Sequence, residues 1–296
     1  MNKTNELDAQ LIHQFVELAH DNINVPQMTE MLNRYPGLLN APRPGSDKET
    51  ALGAATHMRA RKVIDFLMRR GADLDIFAAC ALDRVDRVGA LLDKHAKLIS
   101  ARAKHAHNLD LMDLSPSDAM TALLLRRGYK LSIHAAAAKG MLEEVQRMLG
   151  EDPARIRALD GEGLQPLHSA CIGGHENIVA LLIERGADVT HLGANCRPLT
   201  YACIWGRDKI VPLLLKLDRD INAITTGYQL SYLHCVVRWA KGTPAANEAI
   251  IRMLFKAGID SSIRNKDGMT AYDMAVERGA EGKAMAELIK ELGGTP

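Results

Sequence analysis

The sequence has few aromatic residues: Phe, Trp and Tyr make up 4% of its 296 residues. A core this poor in aromatic side chains must be filled by Ala, Leu, Ile, Val and Met. Such a core favours closely spaced helices over a β-sandwich, because sandwiches are built from aromatic and β-branched strands. The hydrophobic fraction of 47% and the charged fraction of 25% are ordinary for a soluble folded protein.

An excess of charge of one sign is also absent. Lys and Arg together number 37 and Asp and Glu 36, so the formal net charge is +1. Domains that bind nucleic acid or anionic membranes usually carry a clear basic excess. No stretch approaches 18 apolar residues, and the N-terminus has no apolar run behind a basic start. We therefore expect a monomeric cytoplasmic protein that binds neither nucleic acid nor membranes.

Motifs for disulfides, metals and nucleotides are missing as well. The five cysteines are odd in number and have no CxxC spacing, which argues against a disulfide framework. There is no GxxxxGK[ST] or HExxH motif, and Gly161-Glu162-Gly163 leads into no GxGxxG. His105 and His107, near Asp110, do not lie on one helix face, and no Cys or Glu completes a tetrahedral set. We expect no cofactor and no metal.

What the sequence does contain is an internal repeat. Residues 162–189 and 194–222 share a turn, then P-L-[HT]-x-A-C, then I-V-x-L-L, and residues 228–263 follow the same plan. Successive copies begin 32, 34 and 39 residues apart, and the longest spacing contains about six extra residues around Lys241–Asn247. Repeats of this length predict an array of stacked units.

These residues resemble the ankyrin repeat, a 33-residue turn–helix–helix unit. The resemblance is strongest over residues 160–292 and rests on Pro166-Leu167-His168, Gly174-His175 and Gly186-Ala187-Asp188. It implies an all-α ankyrin-repeat solenoid of stacked helix–turn–helix units, about nine in number, forming a single array over residues 1–296. The array divides into a degenerate N-terminal unit (1–46), worn repeats (47–159), clear repeats (160–263) and a C-terminal capping repeat (264–296).

Local signals predict several helix ends. Gly71, Gly128, Gly186 and Gly258 follow second helices, where a left-handed C-terminal residue is favoured. Ser115-Pro116-Ser117-Asp118 predicts an N-cap at Ser115 with a proline at the first helical position. Thr243-Pro244 predicts the same arrangement after the insertion. Residues 100–131 lack a turn signature and should be the least regular part of the chain.

The repeat register also assigns histidines and cysteines. The resemblance implies that His134, His168 and His234, all at the seventh position, bond turn backbone, and that Cys171 and Cys203 are buried at the tenth. His168 and Cys171 lie three residues apart on a helix, so a Cys–His nucleophile is the catalytic alternative. It would also need an oxyanion hole, and the register explains both residues better.

Two tryptophans mark the candidate binding site. Trp205 and Trp239 are the only ones in the chain, and both occupy the twelfth repeat position in adjacent units. The resemblance implies that this position faces the concave groove, where helices 8–10 Å apart would let two indoles bracket one ligand side chain. Alternatively, the indoles pack under local loops, above all under the insertion. The other predicted contact residues lie at helix ends and turn tips: Tyr228, Arg238, Ile204, Ile172, Leu164 and Leu230.

The sequence thus predicts a non-enzymatic protein–protein interaction module that binds a partner protein, not identified by the sequence, through its concave groove. Two alternatives remain open: an enzyme or small-molecule binder that uses the same groove, and a host-directed bacterial effector. The two tryptophans, with Arg238 and Tyr228 beside them, would supply the binding energy in the favoured case.

Overall fold

The computed structural model describes residues 7–44, 49–103 and 109–294. The chain divides into two compact units, Met1–Lys130 and Leu131–Pro296. His105 and His107, considered above as metal ligands, lie outside the described residues, and so does the predicted boundary between residues 46 and 47. The expectation of a single array over the whole chain stays a prediction.

The described part of the first unit is built from four pairs of helices, and the two helices of each pair pack against each other. The helices are α1 (Ala9–Leu18), α2 (Val25–Arg34), α3 (Ala51–His57), α4 (Arg61–Arg69), α5 (Ile76–Ala81), α6 (Val85–Lys94), α7 (Leu111–Leu114) and α8 (Asp118–Arg126). Short 3-10 turns at Pro36–Asn40 and Ala96–Ser100 follow α2 and α6. Phe15, Met28 and Leu67 are buried in its core.

The segment before α8 is irregular, as expected. Two-residue strands, β1 (Arg102–Ala103) and β2 (Leu109–Asp110), pair antiparallel, and α7 has only four residues. The predicted N-cap at Ser115 is wrong by two residues: Ser117 caps α8, accepting from the Met120 N–H at 3.1 Å. Ser115 instead ends α7, and its hydroxyl bonds the Ser117 carbonyl at 3.3 Å and the Thr121 hydroxyl at 2.9 Å.

The second unit contains five helix pairs. They are formed by α9 (Ile133–Ala138), α10 (Leu142–Glu151), α11 (Pro166–Gly173), α12 (Glu176–Glu184), α13 (Pro198–Ile204), α14 (Val211–Leu215), α15 (Tyr232–Trp239), α16 (Pro244–Lys256), α17 (Ala271–Glu277) and α18 (Lys283–Glu291). The first helix of each pair packs on the first helix of the next, in the order α9, α11, α13, α15, α17. Strand pairs longer than two residues are absent from the described residues, so the fold is all-α, as predicted.

Small side chains let the first helices approach one another. Ala170 and Cys171 in α11 and Ala202 and Cys203 in α13 are all fully buried, as the repeat register predicts for the two cysteines. Helix separation depends on the size of the side chains at the contact, so short residues here keep neighbouring units in close contact. Apolar residues of the second helices, such as Ile178, complete the same core.

Glycine ends most of the second helices. Gly71, Gly128, Gly186 and Gly258 have φ between +82° and +86°, a left-handed conformation that strains other residues, so their prediction as helix ends is confirmed. Thr243 caps α16 as predicted.

The short helix α14 ends differently. Asp218 follows it, and this buried carboxylate accepts hydrogen bonds from the Tyr232 hydroxyl and the Arg197 guanidinium, both at 2.7 Å. A buried carboxylate needs such partners, because it would otherwise lose its hydration without compensation.

The histidines at the seventh repeat position bond the turn backbone that leads to the next helix pair, as the register predicts. The Nδ1 atom of His168 accepts the Gln165 N–H at 3.1 Å, and its Nε2–H donates to the His191 carbonyl at 3.1 Å. His234 donates in the same way to the Met269 carbonyl at 3.0 Å. Both rings are buried, and burial lowers their pKa below the ordinary histidine value.

These buried imidazoles predict how stability depends on pH. Because the folded-state pKa is lowered, the unfolded chain binds more protons than the folded one. The contribution of these histidines to the free energy of unfolding is therefore fully present above about pH 6.5 and decreases as the pH falls below it. Each histidine contributes a slope of at most about 1.4 kcal/mol per pH unit. Unfolding monitored by tryptophan fluorescence between pH 7.5 and 5.5 should show this loss. The slope should shrink in His168→Gln, which removes one of the two buried imidazoles.

Candidate functional site

Tyr228, Arg238 and Trp239 form one cluster at the surface of the second unit. Tyr228 lies at the tip of a hairpin closed by a bridge between Ile224 and Ser231, whereas Arg238 and Trp239 end α15. The Tyr228 and Trp239 rings meet edge to face with centroids 6.3 Å apart. A turn tip and a helix end therefore share one continuous surface, and Tyr228 is 55% exposed on it.

Arg238 is held by the two rings of this cluster. Its guanidinium carbon lies 5.0 Å from the Tyr228 ring centre and 5.4 Å from that of Trp239, within the range of cation–π attraction. The Arg238 backbone carbonyl accepts a hydrogen bond from the Arg278 guanidinium of the next helix pair at 2.9 Å. Aromatic contacts thus position the side chain of Arg238, while its backbone carbonyl bonds the next helix pair.

Trp205 lies in a separate cluster with a second cation. It follows α13 as its C-terminal cap, and the Lys241 ammonium lies 4.1 Å above its ring centre. An open cleft of about 460 Å³ lies beside this pair. The cleft is lined by Trp205, Gly206, Arg207, Asp208, Lys241, Gly242, Thr243, Ala245 and Ala246.

The insertion builds this cleft. The Lys241 N–H donates to the Ile204 carbonyl at 2.8 Å, which fastens the inserted segment to the end of α13. Gly242 lies so close to Gly206 that a Cβ on either glycine would come within 2.6 Å of the other's Cα. Trp205 therefore lies beside the insertion that follows Trp239, with Lys241 over its ring.

The two tryptophans have different neighbours. Within the described residues, no ring contact joins Trp205 to Trp239, and each indole packs partly against the core of the second unit. Their helices α13 and α15 are in direct contact. That both indoles contact one ligand side chain stays a prediction.

Three predicted contact residues are buried. Leu230 is 1% exposed, and Ile204 and Leu164 are each 9% exposed, so they offer almost no surface to a partner. Leu230 exchanges hydrogen bonds with Thr225 across its hairpin and belongs to the core. Ile204 belongs to the core, with its carbonyl bonded by the Lys241 N–H of the insertion, and Leu164 lies against Gly193 of the next hairpin. Their assignment to an open surface is corrected accordingly.

Two cations were missed by sequence reasoning. Ile172, a predicted contact, is half-buried, and its carbonyl accepts two hydrogen bonds from Arg207 at 3.2 and 2.6 Å. Arg207 follows a left-handed glycine just as His175 does one unit earlier, and His175 donates to the Ala138 carbonyl at 3.0 Å. This shared register was the available signal for Arg207. Lys241 lies in the insertion, where the repeat gives no register.

The possible Cys–His nucleophile is not supported by its surroundings. Cys171 is fully buried, and burial raises the pKa of its thiol far above the ordinary value, so the nucleophilic thiolate is disfavoured. Both ring nitrogens of His168 are already bonded to backbone. In the part of the chain that the structure describes, no group of three or more His, Cys, Asp or Glu residues is arranged to hold a metal ion.

A comparison with protein families identifies the repeat. The model for ankyrin repeats matches residues 133–225 with three copies. The chain therefore contains ankyrin repeats, as its sequence motifs predict, and the matched segment covers α9 to α14 of the second unit. The total of nine units stays a prediction. None of the helices among residues 7–44, 49–103 and 109–294 has the length and apolar character needed to cross a bilayer.

Curated relatives carry the same repeat. The chain is 24% identical to mouse ankyrin repeat and SAM domain-containing protein 6 over 144 residues, 49% of this chain and 12% of the relative. Its rat counterpart is 23% identical over 186 residues, 63% of this chain and 16% of the relative. Bovine ankyrin repeat domain-containing protein 49 is 43% identical over 54 residues, 18% of this chain and 23% of the relative. The chain thus spans less than a quarter of each.

The contact between the two glycines yields a prediction. Gly242→Ala should lower the free energy of unfolding by about 1–3 kcal/mol, because the new methyl group would overlap Gly206 and the Asn247 amide oxygen. The matched control is Gly150→Ala in α10, where a Cβ meets nothing within 4 Å and alanine should stabilise by about 0.5–1 kcal/mol. Denaturant unfolding of both variants measures the difference. Equal stability of the two would show that the backbones do not approach as described.

Proposed function

We propose that the chain is a non-enzymatic interaction module that binds a partner protein through the surface formed by first-helix ends and turn tips in its second unit. Ankyrin repeats generally mediate protein–protein interaction, and stacked repeats offer extended concave surfaces for it. The observation that carries the proposal is the exposed Tyr228, packed with Arg238 and Trp239 at the point where a turn tip meets a helix end.

The chemistry of this surface suits a binding hot spot. Trp, Tyr and Arg are the residues most enriched among side chains that dominate interface energy. Tyr228 and Ile224 are exposed apolar side chains of one hairpin, and Leu159 and Leu192 are exposed in the segments that lead into α11 and α13. Large apolar side chains that the core leaves in solvent are typical of binding surfaces.

Composition also bears on the class of partner, the compartment and the oligomeric state. The near-balance of 37 basic and 36 acidic residues supports a protein partner over nucleic acid or a membrane surface. We place the chain in the cytoplasm as a monomer, since its free cysteines suit a reducing compartment.

The two tryptophans provide the test. Trp205→Ala and Trp239→Ala should each weaken partner binding by about 2 kcal/mol or more. Each should also cost about 1 kcal/mol of stability, since both indoles pack partly against the core. The partner is first captured from lysate with the wild-type chain and identified by mass spectrometry. Its purified form is then titrated calorimetrically against each variant.

A matched control separates binding from folding. Leu217→Ala removes a side chain that is 45% exposed beyond the end of α14, away from the first-helix ends, and should leave partner affinity unchanged. If folded Trp205→Ala and Trp239→Ala bind the captured partner as tightly as Leu217→Ala does, the proposed surface is wrong.

A further inference from the structure

Three cations at this surface have no acidic partner. Among the described residues, no carboxylate lies within 4.0 Å of the side-chain nitrogens of Arg207, Arg238 or Lys241. Arg207 bonds the Ile172 carbonyl, whereas Arg238 and Lys241 lie over aromatic rings. An aromatic ring carries no formal charge, so a cation held over it keeps its positive charge and can donate to an acceptor on its open side.

The local charge at this surface is positive. The residues that line the cleft beside Trp205 include two cations, Arg207 and Lys241, and one carboxylate, Asp208. This short stretch alone therefore carries a formal +1, equal to that of all 296 residues, and Arg238 adds a further positive charge beside Trp239. An acidic partner would meet an attractive potential here.

The position of Arg238 favours a carboxylate in particular. The Tyr228 and Trp239 rings fix the guanidinium, and no acceptor within the described residues takes a hydrogen bond from its side chain. A fixed guanidinium binds a carboxylate through two parallel hydrogen bonds, and pre-organisation reduces the entropy lost on binding. Lys241, three residues further along, provides a second charge beside the apolar face of Trp205.

We propose that this surface binds an acidic peptide segment of a partner protein, with one carboxylate on Arg238, another near Lys241, and an apolar side chain against the indoles. This inference rests on the proposed function and specifies the chemistry of the partner. A single-stranded nucleic acid would also use rings and cations, but it needs a continuous basic track along its backbone, whereas the two ring-held cations here suit two separate carboxylates.

The test uses peptides of defined origin. A phage-displayed library of random 12-residue peptides is selected on the full chain, and the selected peptides are synthesised and titrated by fluorescence polarisation. We expect Asp and Glu to be enriched together with an aromatic or aliphatic residue. Binding should weaken as NaCl is raised from 50 to 300 mM. A fluorescent oligo-dT 20-mer is titrated in parallel as the nucleic-acid probe.

Four variants resolve the role of each charge. Arg238→Gln and Lys241→Gln should each lower peptide affinity about tenfold, and Arg238→Lys should recover only part of the loss because an ammonium lacks the bidentate geometry. The control, Lys256→Gln, removes an exposed lysine at the far end of the 13-residue helix α16 and should leave affinity unchanged. Thermal melts of every variant show that each is folded.

The outcomes are distinct. Selected peptides without acidic enrichment, no peptide above background, or equal affinity for Arg238→Gln, Lys241→Gln and wild type would overturn the acidic-segment proposal. So would tighter binding of oligo-dT than of any peptide. If peptides lose affinity on Trp239→Ala but not on the charge variants, the interaction function stands and only this inference fails. If none of these substitutions changes peptide binding, the surface itself is wrong.

Discussion

The structure of the second unit depends on how the C-terminal carbonyls of the first helices are satisfied. The last carbonyls of a helix have no partner within it, and a short helix leaves most of its carbonyls in that state. In the second unit, a carbonyl near the end of each of α9, α11, α13 and α15 accepts a hydrogen bond from the helix pair that follows. The pairs are Ala138 with His175, Ile172 with Arg207, Ile204 with the Lys241 N–H, and Arg238 with Arg278. Each hydrogen bond completes one helix and fixes the next unit against it.

This requirement also explains where the cations of the candidate site lie. The C-terminal end of a helix carries partial negative charge, so Arg207 and Arg278 are stabilised there whether or not a partner binds. The insertion changes the pattern in one unit, since the backbone N–H of Lys241 replaces the side-chain donor. The ammonium group of Lys241 is thereby released and lies over Trp205. An irregularity in the repeat thus becomes the feature that distinguishes this part of the surface.

The sequence predicts the parts of this structure that depend on register and misses those that depend on neighbouring turns. His168 and His234 were predictable because both ends of each imidazole bond have fixed positions in the repeat. Leu164 and Leu230 were not, since whether a turn-tip residue faces solvent depends on how the adjoining hairpin closes over it. Tyr228 and Arg238 were predicted at the margin of a site centred on Trp205 and Trp239, whereas their cation–π contact with each other requires the hairpin conformation, which the sequence does not give.

In the candidate site, backbone groups of Arg238 and Lys241 bond neighbouring helix pairs, whereas their side chains form part of the surface. At Arg238 the carbonyl bonds the next unit, and at Lys241 the N–H bonds the previous one, whereas neither side chain takes part in these bonds. Arg207 differs, because its guanidinium is itself the donor to Ile172. Substitution at 238 or 241 therefore leaves the stacking hydrogen bonds in place, whereas substitution at 207 removes both bonds to the Ile172 carbonyl. A surface built from such residues can change its binding specificity without losing the stack that presents it.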